Sequence, residues 1–253
     1  MAKKVLSKSG KKKNWYSIVA PKVFNEMIVG ETSAVSPTDI VGRTVKSSLM
    51  TFTRNMKKQG VTVTLKLTGI QENKAMTEID SYVTNPSSIK RLVRRRRDKI
   101  DDSFICKTKD NKLVRVKPMM LTRSNTSNSV LTSLRHVMRY MLIMNIMKLT
   151  YGQFVDSVLN DRLVKDVKKY VNVVYPVRMV SIRAFEIEEN PKARPTMVTV
   201  TDKKVYDLVV EKLSLSEKKS SEKQPIDTKK SERNESTDKS ENDSNDSKKS
   251  DSE

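Results

Sequence analysis

With 253 residues and 36% hydrophobic side chains, the chain can build one or two modest cores but not a large enzyme body. Fifty Lys and Arg against 30 Asp and Glu give a formal net charge of +20, which calls for a polyanionic partner: nucleic acid, an anionic membrane surface or an acidic protein. One Cys (Cys106) excludes a disulfide framework, one His (His136) beside it excludes a four-ligand zinc site, and six scattered glycines form no phosphate-cradling loop.

The charge is uneven. Residues 214–253 hold nine Lys or Arg and eleven Asp or Glu, which leaves residues 1–213 with 41 basic and 19 acidic side chains, a net of +22. Residues 1–13 read as a basic disordered arm: Lys3, Lys4, Lys8, Lys11, Lys12 and Lys13 stand among Ser and Gly, with too little apolar surface to fold alone. The start has no apolar h-region, so no secretory signal is expected. The longest apolar stretch, residues 137–149, is broken by Arg139, Asn145 and Lys148 and is shorter than the ~20 residues of a membrane span. A soluble intracellular protein is expected, with no membrane partner.

Residues 14–84 read as strands. The clearest, 61–70, alternates Val61, Val63, Leu65 and Leu67 with Thr and Lys. Others fall at 15–19, 28–35, 40–49 and, more weakly, 76–83. Short strands at this spacing predict a barrel or a sandwich. Asn85 and Pro86 then cap a helix at about 87–99, with Ile89, Leu92, Val93 and Ile100 on one face and Lys90, Arg91, Arg94, Arg95 and Arg97 on the other. Arg96 falls at the apolar edge, where it must snorkel or find a partner. A β-hairpin follows, 104–109 and 112–117 about a tight turn at Asp110 and Asn111, and Pro118 ends its regular pairing.

Helices dominate the next part. Apolar periodicity predicts one from Ser127 to about Met147. Thr150 and Gln153 stand at capping-box spacing and open a second. Asp161 caps a third, which Pro176 ends. Residues 177–187 read as a returning strand, followed by a strand at 197–201 and a short helix through Leu213. From Ser214 to Glu253 eleven residues are Ser and only Leu215 and Ile226 are large aliphatics, so this tail reads as disordered.

No catalytic constellation stands out. His136 sits inside a helix, where a lone His is structural or surface far more often than catalytic. Cys106 lies in a strand and reads as a small buried hydrophobe. No carboxylate cluster has metal spacing. No catalytic residue, metal ligand or cofactor is therefore expected.

Nucleic-acid binding has many candidates. Arg94, Arg95 and Arg97 offer bidentate phosphate contacts, beside Lys90 and Arg91. The hairpin adds Lys107, Lys109, Arg115 and Lys117. Arg54, Lys57 and Lys58 form a loop cluster, and Arg123, Arg135 and Arg139 extend the set to the long helix. The lysines of the arm and Trp15 complete it, with Trp15 and Tyr16 able either to stack on bases or to pack in the fold. Patches spread along the chain suit a wide, irregular polyanion, folded RNA rather than B-DNA. No recognition helix or RNP-type motif supports base-specific reading.

The order of several motifs is specific. Lys12, Lys13 and Asn14 lead into Trp15 and Tyr16, then Ala20, Pro21 and Phe24. Gly42, Arg43, Thr44 and Val45 follow with Ser48 and Leu49, then Lys107, Thr108, Lys109, Asp110 and Asn111 with Leu113 and Arg115. Asn160, Asp161, Arg162 and Leu163, and Tyr175, Pro176 and Val177 with Val180 and Arg183, complete the series. Over residues 11–187 the chain resembles the S-three-A family of archaeal and eukaryotic small-subunit ribosomal proteins.

That resemblance implies an α+β fold with a β-barrel-like N-terminal part (14–123, including the basic helix) packed with a helical C-terminal part (124–213, including the return strand). It implies a structural constituent of the small ribosomal subunit that binds ribosomal RNA and supports translation. The implied partners are small-subunit ribosomal RNA and neighbouring small-subunit ribosomal proteins, then the messenger RNA exit region and translation initiation factors. The implied location is the cytoplasmic ribosome, with assembly in the nucleus and nucleolus in a eukaryote. The alternative is a DNA-binding or chromatin-associated basic protein. A membrane-surface module and an enzyme are weaker rivals.

Overall fold

Alternation at 61–70 becomes a strand whose inward residues Val63, Leu65 and Leu67 are almost fully buried. This is β4 in the computed structural model, which describes residues 12–189 and 194–221. In chain order the elements are β1 (Asn14–Val19), β2 (Ile28–Ala34), β3 (Thr44–Ser48), α1 (Leu49–Thr53), β4 (Val61–Gln71), β5 (Lys74–Thr84), α2 (Pro86–Leu92), β6 (Lys99–Asp101), β7 (Phe104–Lys107), β8 (Leu113–Thr122), α3 (Asn128–Lys148), α4 (Tyr151–Leu159), α5 (Arg162–Val174), β9 (Val177–Ile187) and α6 (Val200–Ser221).

All nine strands of the described residues join one sheet, and it is open. The barrel-like expectation is corrected by its topology. One edge of β5 pairs with β4 along its length; the other is divided between β1 at residues 74–76 and β9 at residues 81–83. The strand β8 pairs with β9 on one edge and with β6 and β7 in succession on the other. The sheet therefore forks at both strands. Closure would require edge strands to pair at a consistent stagger, yet β2, β3, β6 and β7 each pair with one strand only among the described residues. Strand spacing along a sequence carries no information on whether the outermost strands meet.

Helices cover one face of this sheet instead. Phe154 of α4 meets Phe185 of β9 edge to face at 5.1 Å. The Tyr151 hydroxyl donates to the Ile79 carbonyl of β5 at 2.6 Å. Helix α4 opens with the expected capping box at Thr150 and Gln153. Asp161 does occupy the position before α5, but its side chain makes no cap bond and its backbone is left-handed, φ 56°. Strand β9 lies in the middle of the sheet between β5 and β8, so the later part of the chain completes the sheet laid down by the earlier part.

The basic helix is shorter than expected. Helix α2 ends at Leu92, Val93 turns extended and Arg96 is left-handed at φ 60°. Ile100, placed by periodicity on the helix face, instead pairs with Met120 as a strand residue and is buried. Burying Ile100 in the sheet outweighs extending a helix through four adjacent, mutually repelling arginines.

The hairpin β7–β8 forms as expected, with a longer connection. Thr108 N–H bonds to the Lys112 carbonyl at 3.0 Å, closing a loop at residues 109–111 with Asn111 at φ 62°. The strand expected at 197–201 is not formed. Thr199 and Asp202 instead cap α6 reciprocally, the Thr199 N–H on the Asp202 carboxylate at 3.0 Å and the Asp202 N–H on Thr199 Oγ1 at 3.2 Å. Helix α6 carries on through Ser221, past the expected start of the disordered tail. Residues up to Val210 form one unit and those from Glu211 another. The first part of the basic arm (1–11) and the tail from residue 222 lie outside the described residues.

Candidate nucleic-acid interface

His136 and Cys106 are both engaged in the fold. His136 on α3 pairs through Nδ1 with Asp202 on α6. Burial in β7 pushes the Cys106 thiol up to about 12, so it stays protonated at neutral pH. Among the described residues no group of three or more His, Cys, Asp or Glu could hold a metal ion, and no helix is long and apolar enough to cross a membrane.

The expected cations divide in two. Lys58, Arg115, Lys117 and Arg139 are tied into the protein. Arg139 grips Asp102 with two bonds, 2.8 and 2.7 Å, and its charged form is strengthened by that bond. Arg115 binds Glu188 at 2.8 Å and Lys117 binds Glu186 at 2.7 Å. Lys58 donates to the Leu159 carbonyl and lies 3.6 Å from Asp161, fastening the turn after α1 to the α4–α5 junction. These carboxylates come from β9 and from loops distant in sequence, so a run of hairpin cations cannot reveal that its charge is already answered.

The second group is solvent-exposed: Lys12, Lys13, Arg54, Lys57, Lys90, Arg91, Arg94, Arg95, Lys107, Lys109, Arg123 and Arg135. The fold gathers part of it. Lys90 and Arg91 lie in the last turn of α2, and Arg94 and Arg95 on the turn that follows. Asp98 N–H donates to Thr122 Oγ1 at 2.9 Å and Thr122 N–H to the Asp98 carbonyl at 3.0 Å. This brings Arg123 beside the arginine turn. Arg97, two residues after Arg95, is half-buried, and its Nη1 is buried without a hydrogen-bond partner. The foot of α2 opens onto a groove of about 410 Å3 lined by Lys90, Lys99, Lys117 and Arg183, with Glu186 as its only carboxylate. Strand pairing carries Lys99 and Arg183 to this groove, where Lys99 pairs with Asp101 and Arg183 lies 3.7 Å from the same carboxylate.

Other candidates stay apart from this surface in the chain's architecture. Arg54 and Lys57 flank the turn after α1, and Lys107 and Lys109 mark the β7–β8 end. A second groove of about 500 Å3 has the opposite character: Glu78, Asp80, Glu188 and Glu189 face Lys66 and Lys112. Partial burial and the neighbouring carboxylates raise the Asp80 pKa despite the nearby Lys66.

The alternatives at Trp15 and Tyr16 are separated by β1. Tyr16 is 5% exposed and packs in a cluster with Ile18, Ala34, Ile40, Leu67 and Ala75. Trp15, on the opposite face, is 68% exposed. Adjacent strand residues point to opposite faces, so one of the pair belongs to the core and the other faces solvent.

Exposed cations held on a rigid sheet-and-helix support define a structural, polyanion-binding protein. The chain belongs to the Ribosomal S3Ae family, whose model matches residues 2–191. It is 34% identical over 182 residues to the small ribosomal subunit protein eS1 of Nanoarchaeum equitans, covering 72% of this chain and 92% of that one. The eS1 protein of Halorubrum lacusprofundi is 29% identical over 215 residues, 85% of this chain and 98% of that one. The eS1 protein of Methanothrix thermoacetophila is 30% identical over 192 residues, 76% and 91% of the two chains. By this membership the chain is a structural, RNA-binding constituent of the small ribosomal subunit in the cytoplasm, and not an enzyme.

Proposed function

We propose that the chain meets ribosomal RNA chiefly through the surface made by α2, the arginine turn and Arg123, with Lys90, Arg91, Arg94, Arg95 and Arg97 as phosphate ligands. The observation that carries this is the exposure of Lys90, Arg91, Arg94 and Arg95 together over the last turn of α2 and the turn that follows it. Arginine suits this because its planar fork matches phosphate oxygens. Arg54, Lys57, Lys107, Lys109 and Arg135 add secondary contacts, as do the lysines of the arm (Lys3, Lys4, Lys8, Lys11, Lys12, Lys13). Lys58, Arg115, Lys117 and Arg139 contribute to the support rather than to the RNA contact.

On this reading the arm orders against RNA, and residues 222–253 are not needed for incorporation. Neighbouring small-subunit proteins complete the surroundings. The messenger RNA exit region and translation initiation factors are further partners by family resemblance, as is nucleolar assembly in a nucleated cell. The test is Arg94→Glu combined with Arg95→Glu, followed by sucrose-gradient sedimentation. The double variant should fold normally and remain at the top of the gradient. Normal co-sedimentation with small subunits would refute the assignment of this surface.

A further inference from the structure

At its first residues β1 leaves the main sheet. Its pairing with β5 is confined to residues 17–19, whereas Asn14, Trp15 and Tyr16 pair with Ala34, Ser33 and Thr32 of β2. These six residues form a two-stranded ribbon. One face is anchored, since Tyr16 and Ala34 are buried in the apolar cluster. On the other face Trp15 is 68% exposed, with the small Ser33 directly across from it. Leaving an indole in water has no folding benefit, and no aromatic partner for Trp15 occurs among the described residues.

The surroundings select the ligand. Lys12 and Lys13 are exposed immediately before the ribbon, and the arm supplies Lys3, Lys4, Lys8 and Lys11 in sequence. Arg43 is held at the ribbon edge, its Nη1 donating to Thr32 Oγ1 at 2.9 Å and to the Ser33 carbonyl at 3.0 Å. Glu31 lies opposite Ser17, one strand pair further along the Trp15 face. A flat π-face beside a lysine run is the arrangement that binds an unpaired nucleotide: the ring stacks on the base and the cations meet the flanking phosphates. A paired base in A-form duplex presents no free face to it.

We propose that Trp15 is a stacking platform for one unpaired base of RNA, with Lys12, Lys13 and Arg43 taking the adjoining phosphates. This rests on the RNA-binding reading above and adds a second, chemically different site. The contact tolerates any base, because it uses the ring face and no base-edge hydrogen bond.

Trp15 is the only tryptophan of the chain, so its fluorescence reports the contact directly. The full-length protein is titrated with a single-stranded oligoadenylate and with an RNA duplex of equal length, while anisotropy of labelled RNA measures binding independently. Single strands should quench the emission strongly and duplex only weakly at equal occupancy. Trp15→Ala should weaken single-strand binding about tenfold, within the range for loss of one stacked base, and leave duplex binding and thermal stability unchanged. Trp15→Phe should restore most of the lost affinity. Binding of single strands to saturation with unchanged emission would overturn the proposal. So would wild-type affinity in Trp15→Ala. If Arg94→Glu with Arg95→Glu loses RNA binding while Trp15→Ala does not, stacking falls and the arginine surface stands. If the wild-type chain binds no RNA of either form, both fall. An emission shift produced by RNA-free small-subunit proteins, and not by RNA, would assign Trp15 to a protein neighbour.

Discussion

His136 of α3 pairs through Nδ1 with Asp202 of α6, and this contact locks the start of the last described helix onto the helical layer. Asp202 is fully buried. Its carboxylate also accepts from the Thr199 N–H. Beside it, Tyr206 stacks on Tyr140 at 4.4 Å and lies 5.8 Å from Tyr170. The lone histidine of a cationic chain is thereby a structural fastener, a role that required α6 to be placed before it could be seen.

Asp202 sets an acid limit on that fastening. Its burial opposes ionisation, but the Thr199 bonds and the His136 contact outweigh it and hold the carboxyl below its ordinary 3.8. A carboxylate with a depressed folded pKa adds stability above its unfolded value, and that stability is lost as pH falls through the folded value. Asp202→Asn should therefore lower stability at neutral pH by about 1–3 kcal/mol and remove part of the loss expected below pH ~4. Denaturant titrations at pH 7 and pH 3.5 measure both. Equal losses in wild type and variant on acidification would contradict it.

An alkaline limit follows from Cys106 and Tyr82. Burial pushes each up to about 12, with Asp161 adding to the shift at Tyr82. A group raised in the folded state favours folding below its unfolded pKa, and the advantage disappears as pH rises through the folded one. Stability should thus fall between pH about 9 and 12. Reaction of Cys106 with a thiol reagent at pH 8 should be slow and should accelerate only in denaturant. Rapid labelling of the native chain would show that β7 opens readily.

Internally paired and exposed arginines should behave differently. Arg139→Ala leaves the largely buried Asp102 carboxylate without its two bonds. It should cost about 1–3 kcal/mol of stability, with little change in the salt dependence of RNA binding. Arg94→Ala should do the reverse, leaving the melting temperature unchanged and reducing the log–log salt slope by about 1. Thermal melts and binding at three salt concentrations distinguish the two. A common effect would mean that the division into support and contact is wrong.

Truncation after Ser221 should leave incorporation into small subunits intact. Beyond that point the chain has low hydrophobicity and nearly balanced charge, and it carries no surplus of cations for phosphate. Loss of the truncated chain from the subunit peak of a gradient would assign the segment a binding role.

Several elements were legible from residues alone because their signals are local. The alternation of Val61, Val63, Leu65 and Leu67, the Thr150 and Gln153 capping box and the hairpin at Asn111 each depend on neighbours within a few positions. The reciprocal cap of Thr199 and Asp202 carried the same kind of signal, T-x-x-D, and correctly read it would have replaced the expected strand at 197–201 with a helix. Arg96 and Ile100 were not legible. Their fate turned on Ile100 pairing with Met120 across the sheet, which no helical period records.

The excess of cations and the order of family motifs were determined by sequence alone, because charge, residue type and order do not depend on how the chain folds. Which cations face solvent, whether the sheet closes and which of Trp15 and Tyr16 lies outside were decided only in three dimensions. Those outcomes depend on which strands become neighbours. Pairing of β8 with β9 brings Glu186 and Glu188 to Arg115 and Lys117, while the sharing of β5 between β1 and β9 keeps the sheet open.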